Sequence, residues 1–344
     1  MKNRLTFTVF LAAMLFAVSA PLFVDAETLV VLNKSEATAS LIDLETGKVK
    51  KTLPTGAGPH EVAVSPDGTT ALATNYGNNE VDGNSLTAID VAAGKVIGTI
   101  DLGEFKWPHG VQFLDGRRAV VTAEANKTLL VVDVETGKVE RQIRTEQEDS
   151  HMVAVTPDGS RAFVANMGSG NVTAIDLGEG RVLAQIATGE GAEGIDVTPD
   201  GKEVWVTNRA ADTLSILDAA SLEILATVAC ATFPIRVRIT PDGRHALVSN
   251  ARSADLAIFD VATRKEVKRI AFEREAASTE GRLFGDQFGD SSVPIGVVVA
   301  PDGSTAWVAH SNADAISVVD LKSWKTTGHL VAGKEPDGMA YSPR

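Results

Sequence analysis

From Thr28 onward the apolar positions come in short runs, broken by polar turns and rich in Val, Ile, Leu and Thr. The stretch Ala192–Val228 shows the unit. Gly194–Thr198, Glu203–Asn208, Thr213–Asp218 and Leu222–Val228 predict four strands. Pro199-Asp200-Gly201 predicts a tight turn: Pro presets φ, Asp bonds its own backbone, and Gly accepts φ > 0. Four strands in about 42 residues leave no room for a helix, which makes the unit an antiparallel four-stranded sheet.

The unit recurs. An aspartate closes an apolar run at Asp43, Asp90, Asp133, Asp176, Asp218, Asp260 and Asp320, at intervals of 47, 43, 43, 42, 42 and 60 residues. Pro-Asp-Gly or its remnant keeps the same step at Pro66, Leu114, Pro157, Pro199, Pro241, Pro301 and Pro343. A fixed period near 42 signals one supersecondary unit copied along the chain. The aspartates read as acceptors capping the following turn, with Gly47, Gly94, Gly137 and Gly180 at its left-handed position. The linear alternative, a solenoid, needs polar caps at its ends, and none is visible. Asp337–Pro343 matches the first strand of a unit, whereas Thr28–Asn33 and Ala39–Asp43 match the second and third. The expectation is therefore an all-β, seven-bladed propeller over residues 27–344, its last blade closed by strands from both termini.

Residues 1–26 stand outside this pattern. Lys2 and Arg4 precede an uncharged apolar run from Leu5 to Ala20, and Val24-Asp25-Ala26 offers small residues for cleavage before Glu27. This reads as a secretory signal, with a retained membrane anchor as the alternative, so a periplasmic or secreted product is expected. The remaining 30 basic and 44 acidic residues give a net charge of −14, which argues against nucleic acid and anionic membrane as partners. No stable membrane insertion is expected after cleavage, and a monomer is expected. Cys230 is the only cysteine, so stability must come from packing, and this residue reads as a small buried apolar group.

Asn75, Asn166, Asn208 and Asn250 close strand two of their units, with Asn33 and His310 in the same column. Together with the Pro-Asp-Gly turns and the Ile-Asp strand ends, this resembles the YVTN-family β-propeller repeat proteins over essentially all of residues 27–344. The second unit departs from the pattern, with Leu114 in place of Pro and Ala123 in place of Asn. The resemblance implies seven blades and export or surface location. It is weak on function. Relatives include surface-layer and periplasmic binding proteins, some resemble partners of quinone-dependent alcohol oxidation, and more distant propellers include lactonases and streptogramin lyases.

Strand order assigns the faces. The start of strand one, the end of strand two and the end of strand four share a top face. Two insertions, Tyr76–Ser85 and one within Phe272–Ser292, fall there, and extra loops on one face mark a binding side. The second carries Arg282, Phe284, Asp286 and Phe288, a mix suited to a lid, against the plainer reading of an unstructured insertion. Six residues before the Pro marker stand His60, His151, Glu193, Ile235, Ile295 and Asp337, and His109 joins them if the second unit lacks one residue. These positions should crowd the channel mouth, flanked by Glu61, Trp107 and Arg236, with His310 on the same face. His60, His109 and His151 together suggest a divalent transition metal, or acid–base chemistry. The plainer reading is one residue inherited by duplicated repeats. Glycines after this column (Gly110, Gly194, Gly296, Gly338) suggest close packing near the axis. No nucleophile elbow, phosphate loop, Cys-x-x-Cys or haem-attachment motif is present, and Asn166–Asn171 is a strand turn with no helix after it. Two function classes follow: a binding or scaffold module taking a small molecule or an extracytoplasmic protein on its top face, or a metal-dependent lyase or hydrolase of lactonase-like type.

Overall fold

The computed structural model describes residues 27–272, 282 and 284–344. The leader expected over residues 1–26, with its cleavage point, lies outside the described residues. The described chain forms seven four-stranded antiparallel sheets. Their inner strands are Pro59–Val64, Pro108–Phe113, Ser150–Val155, Ala192–Val197, Pro234–Ile239, Pro294–Val299 and Pro336–Ser342, taken here as blades one to seven. Blade seven joins Pro336–Ser342 to Thr28–Asn33, with Val30 opposite Ala340, and continues into Thr38–Asp43 and Lys48–Pro54. The ring is closed by both ends of the chain, as the repeat pattern predicts. Among the described residues no helix is long and apolar enough to cross a membrane.

Turn chemistry repeats with the fold. All seven strand-three aspartates accept a backbone N–H from two or three residues on, at 2.6–2.9 Å. The Pro-Asp-Gly aspartates do the same for the first hairpin, Asp115 included. One expected boundary shifts. Strand four of blade four starts at Ile224, not Leu222, because Leu222 takes the left-handed position (φ 66°) that glycine fills in the first four units. Blade four's inner strand likewise begins at Ala192, earlier than Gly194.

The core is a ring of layers. Seven apolar clusters each join two neighbouring blades: Phe163 and Val206 link blades three and four, and Leu72 and Leu130 link blades one and two. A fully buried side chain of this kind contributes about 1.5–3 kcal/mol. Cys230 is only partly buried; its Sγ lies 3.3 Å from Asn250 Oδ1, and burial raises its pKa to about 12. Around the axis the inner strands touch backbone to backbone. A Cβ on Gly296 would sit 2.2 Å from the Asp337 carbonyl oxygen, and one on Gly338 2.3 Å from that of His60. Glycine is needed there for space.

Candidate functional site

The axial column forms as the spacing predicts. His60, His109, His151, Glu193, Ile235, Ile295 and Asp337 are each the second residue of an inner strand. A second column stands with it, one residue after the strand-two asparagine column: Tyr76, Glu124, Met167, Arg209, Ala251, Ser311 and Lys34. A backbone device holds this second column. The residue before every inner strand is left-handed: Gly58, Trp107, Asp149, Gly191, Phe233, Val293 and Glu335, with φ of 50–73°. In every blade its carbonyl accepts the N–H of the second-column residue. Five of these seven positions are not glycine. Each such conformation costs about 1–2 kcal/mol, so the surrounding contacts must over-determine it.

Together the columns line a top-face cavity of about 670 Å³. His60, His109, His151 and Trp107 reach it, as do Tyr76, Glu124, Met167, Arg209 and Lys34. The opposite arc is apolar and plugged. Ile235, Ile295 and Ala251 pack under Phe288, with Phe233 and Phe284 beside them. The four residues expected to form a lid therefore separate. Phe284 lines the cavity, Phe288 is core, Asp286 is exposed, and Arg282 makes a bidentate pair with Asp314 at 2.5 and 2.6 Å. Much of the described insertion is wall. At the other rim Trp107 stacks near Tyr76 (6.2 Å between ring centroids, 26° between planes) and donates to Asp82 at 3.0 Å.

Arg236 closes the floor. From blade five it pairs with Glu193 of blade four at 3.1 Å and, across the axis, with Glu61 of blade one. Below lies a separate cavity of about 290 Å³ that includes Glu61 and shares no lining residue with the upper one.

The histidines differ in electrostatics. Burial pulls His151 down, but Glu124 at Nδ1 and Glu193 at 3.3 Å from Nε2 override it and hold its pKa at about 9. Burial also disfavours the Glu193 charge, yet Arg209 at 2.7 Å, with His151 and Arg236, keeps its pKa at about 2. His109, between the other two rings at 4.1 and 3.6 Å, is pushed well below the usual histidine range by burial and by those neighbours. It is 0% exposed, and neither ring nitrogen has a hydrogen-bond partner among the described residues. His60 is lowered by burial and by Lys34, whose Nζ lies 2.7 Å from Nε2; Asp337 stands 2.8 Å from Nδ1.

His310, expected at the mouth, lies off the axis. Its ring sits between Ser292 (2.9 Å) and Ser317 (2.8 Å) and edge-on to Phe272. Burial lowers its pKa to about 3. It does the work of the strand-two asparagines. Asn33, Asn75, Asn166 and Asn208 each donate to side chains on strand three of their own blade. His310→Asn should therefore melt close to the parent. His310→Leu, which strands the buried Ser292 hydroxyl and leaves Ser317 only its 3.4 Å contact with His329, should lose about 1–3 kcal/mol in urea unfolding. Equal losses for both would contradict the bracing role.

Glu124 escapes sequence reasoning. It follows Ala123, one of the two positions, with His310, that are not asparagine in this column, and attention to the inner strand passes it by. Tabulating the residue after that column would have found it.

A seven-bladed propeller with a blind, ionisable pocket on its top face is the class that fold and site define. The chain belongs to the YNCE-like beta-propeller family, whose profile matches residues 15–119 and 153–281. Among solved structures it is similar to Kuenenia stuttgartiensis hydrazine synthase, at 21% identity and TM-score 0.68, covering 90% of this chain and 99% of that one. It is also similar to a functionally unknown protein from Desulfotomaculum acetoxidans DSM 771, at 16% identity and TM-score 0.74, covering 92% and 98%. At these identities the likeness shows the fold alone. No curated protein matches the chain.

Proposed function

We propose that this is an exported binding module that takes a small polar ligand into the top-face cavity. The observation that carries the reading is His109: a fully buried imidazole with both nitrogens unpartnered among the described residues, at the wall of a cavity of about 670 Å³. A buried polar group left unpaired costs about 1–3 kcal/mol, a cost a ligand would relieve. The volume falls within the usual small-molecule range, and the mixture of aromatic rim and charged wall suits orientation of a compact polar molecule. A second reading, catalysis, is favoured by one observation. The His109 ring, pushed well below the usual histidine range by burial, lies tilted 3.6 Å from that of His151, which its carboxylates hold up, a pair with separated pKa values of the kind that serves as base and acid.

The test is a thermal-shift screen of a small-molecule library on the mature protein, followed by titration monitored by tryptophan fluorescence. Compounds that protect the parent should lose about tenfold or more in affinity in Trp107→Ala and Tyr76→Ala, as expected when a stacking rim is removed. A screen without hits, or hits indifferent to both changes, would refute the pocket reading. N-terminal sequencing of the exported product should begin at Glu27; retention of Lys2–Ala26 would refute the leader.

A further inference from the structure

We infer that His109, Glu124 and His151 form a binding site for one divalent first-row transition metal ion, with Tyr76 and Glu193 as its outer shell. The inference rests on the top-face cavity being the ligand site and places a metal ion in it. Donor atoms of the three side chains all lie within 4.8 Å of one another, and all three residues are buried. They come from two adjacent blades and face the cavity. His109 brings two ring nitrogens that nothing else among the described residues uses.

The outer shell is already assembled. Glu124 Oε2 accepts the Tyr76 hydroxyl at 2.6 Å, leaving Oε1 toward His151 Nδ1. His151 Nε2 lies 3.3 Å from Glu193, which Arg209 and Arg236 hold in place. A ligating histidine ordinarily donates its second N–H to such a carboxylate, which fixes its tautomer and orientation. In the protein without metal, a hydrogen bond joins Glu124 Oε1 and His151 Nδ1. On binding, the divalent ion takes that place and one proton leaves to solvent, so the site gains one net positive charge. Two imidazoles and one carboxylate, with the remaining side open to the cavity, suit manganese, iron, cobalt or zinc. Calcium and magnesium favour all-oxygen sets.

The three-histidine set that the column suggests gives way to this one. The other convergent group, His60, Glu61 and His109, is committed elsewhere. Glu61 pairs with Arg236, and the Lys34 ammonium stands 2.7 Å from His60 Nε2. An ion there would have to displace a cation and break the axial bridge.

The experiment uses chelator-stripped mature protein titrated with Co²⁺, read by visible absorption, with metal content by mass spectrometry. One ion per chain is expected. Glu124→Gln, which retains the Tyr76 contact, and His109→Phe should each weaken Co²⁺ binding by about tenfold to a hundredfold or more. His310→Asn should leave it unchanged. Circular dichroism checks folding, and if His109→Phe fails to fold, Glu124→Gln decides alone. No Co²⁺ in the parent, or binding that survives Glu124→Gln and is lost in His60→Gln, overturns the proposal. A parent that takes no Co²⁺ while compounds still protect it through Trp107 overturns the metal site alone. Stoichiometric Co²⁺ with no compound sensitive to Trp107 overturns only the small-molecule reading.

Discussion

Removal of residues 336–344 is expected to unfold the whole ring. The deletion takes away the inner strand of blade seven, Pro336–Ser342. Thr28–Asn33 then loses its inner partner and presents a row of unpaired backbone groups. The inner strands of blades six and one lose the neighbour whose Asp337 and Gly338 backbones they pack against. The buried Met339 side chain goes too, along with the Ser342 hydroxyl bond to the Gly68 carbonyl at 2.6 Å. A closed ring has no spare blade to reseal the gap, so the loss should approach the entire stability of a domain, about 5–15 kcal/mol. Urea unfolding of the truncated protein reads this directly. A midpoint equal to that of the intact chain would mean that the shared blade does not close the fold.

Arg236→Met should lose about 3–5 kcal/mol at neutral pH, because it leaves Glu61 without its cation and takes from Glu193 one of its two arginines. Arg236 is 8% exposed, Glu193 3% and Glu61 12%, so water cannot replace the guanidinium. The pH dependence has a definite sign. Glu193 is depressed to about 2 in the folded parent, so its contribution is present above the unfolded value near 4.5 and lost as pH falls toward 2. The variant lacks part of that contribution. The gap between parent and Arg236→Met should therefore be widest at neutral pH and narrow below about 4.5. Adding Glu61→Gln to the variant should restore much of the loss, since it removes the carboxylate left without a cation, while Glu193 keeps Arg209. If Arg236→Met melted with the parent across this range, the axial bridge would not be holding the floor.

The fold was legible because its grammar is local. A capping aspartate four residues before a left-handed turn position writes the same sentence in every unit, and copying preserves it. Leu222 hid a strand boundary for the same reason in reverse: that turn uses a leucine where others use glycine. The axial column was legible too, since one register serves all seven inner strands. What stayed hidden depends on reach and direction. Arg236 meets Glu61 only because the ring brings blades one and five to opposite sides of a narrow axis. His310 shares a face with the cavity, yet the end of strand two turns its side chain into the blade, a matter of direction that face assignment does not contain. The insertion carries aromatic residues that could cover a ligand or a core. Only the apolar arc formed by Ile235 and Ile295 decides that Phe288 covers the core.

The arginine across the axis has one more consequence, for traffic. A channel open at both ends lets water leave behind an arriving molecule. Here the Arg236–Glu61 pair lies across the axis between the upper and lower cavities, so among the described residues solvent and guest share the top-face mouth rimmed by Trp107 and Phe284. Exchange should be slow in both directions, and a guest that fits should reside long compared with one held on an open face.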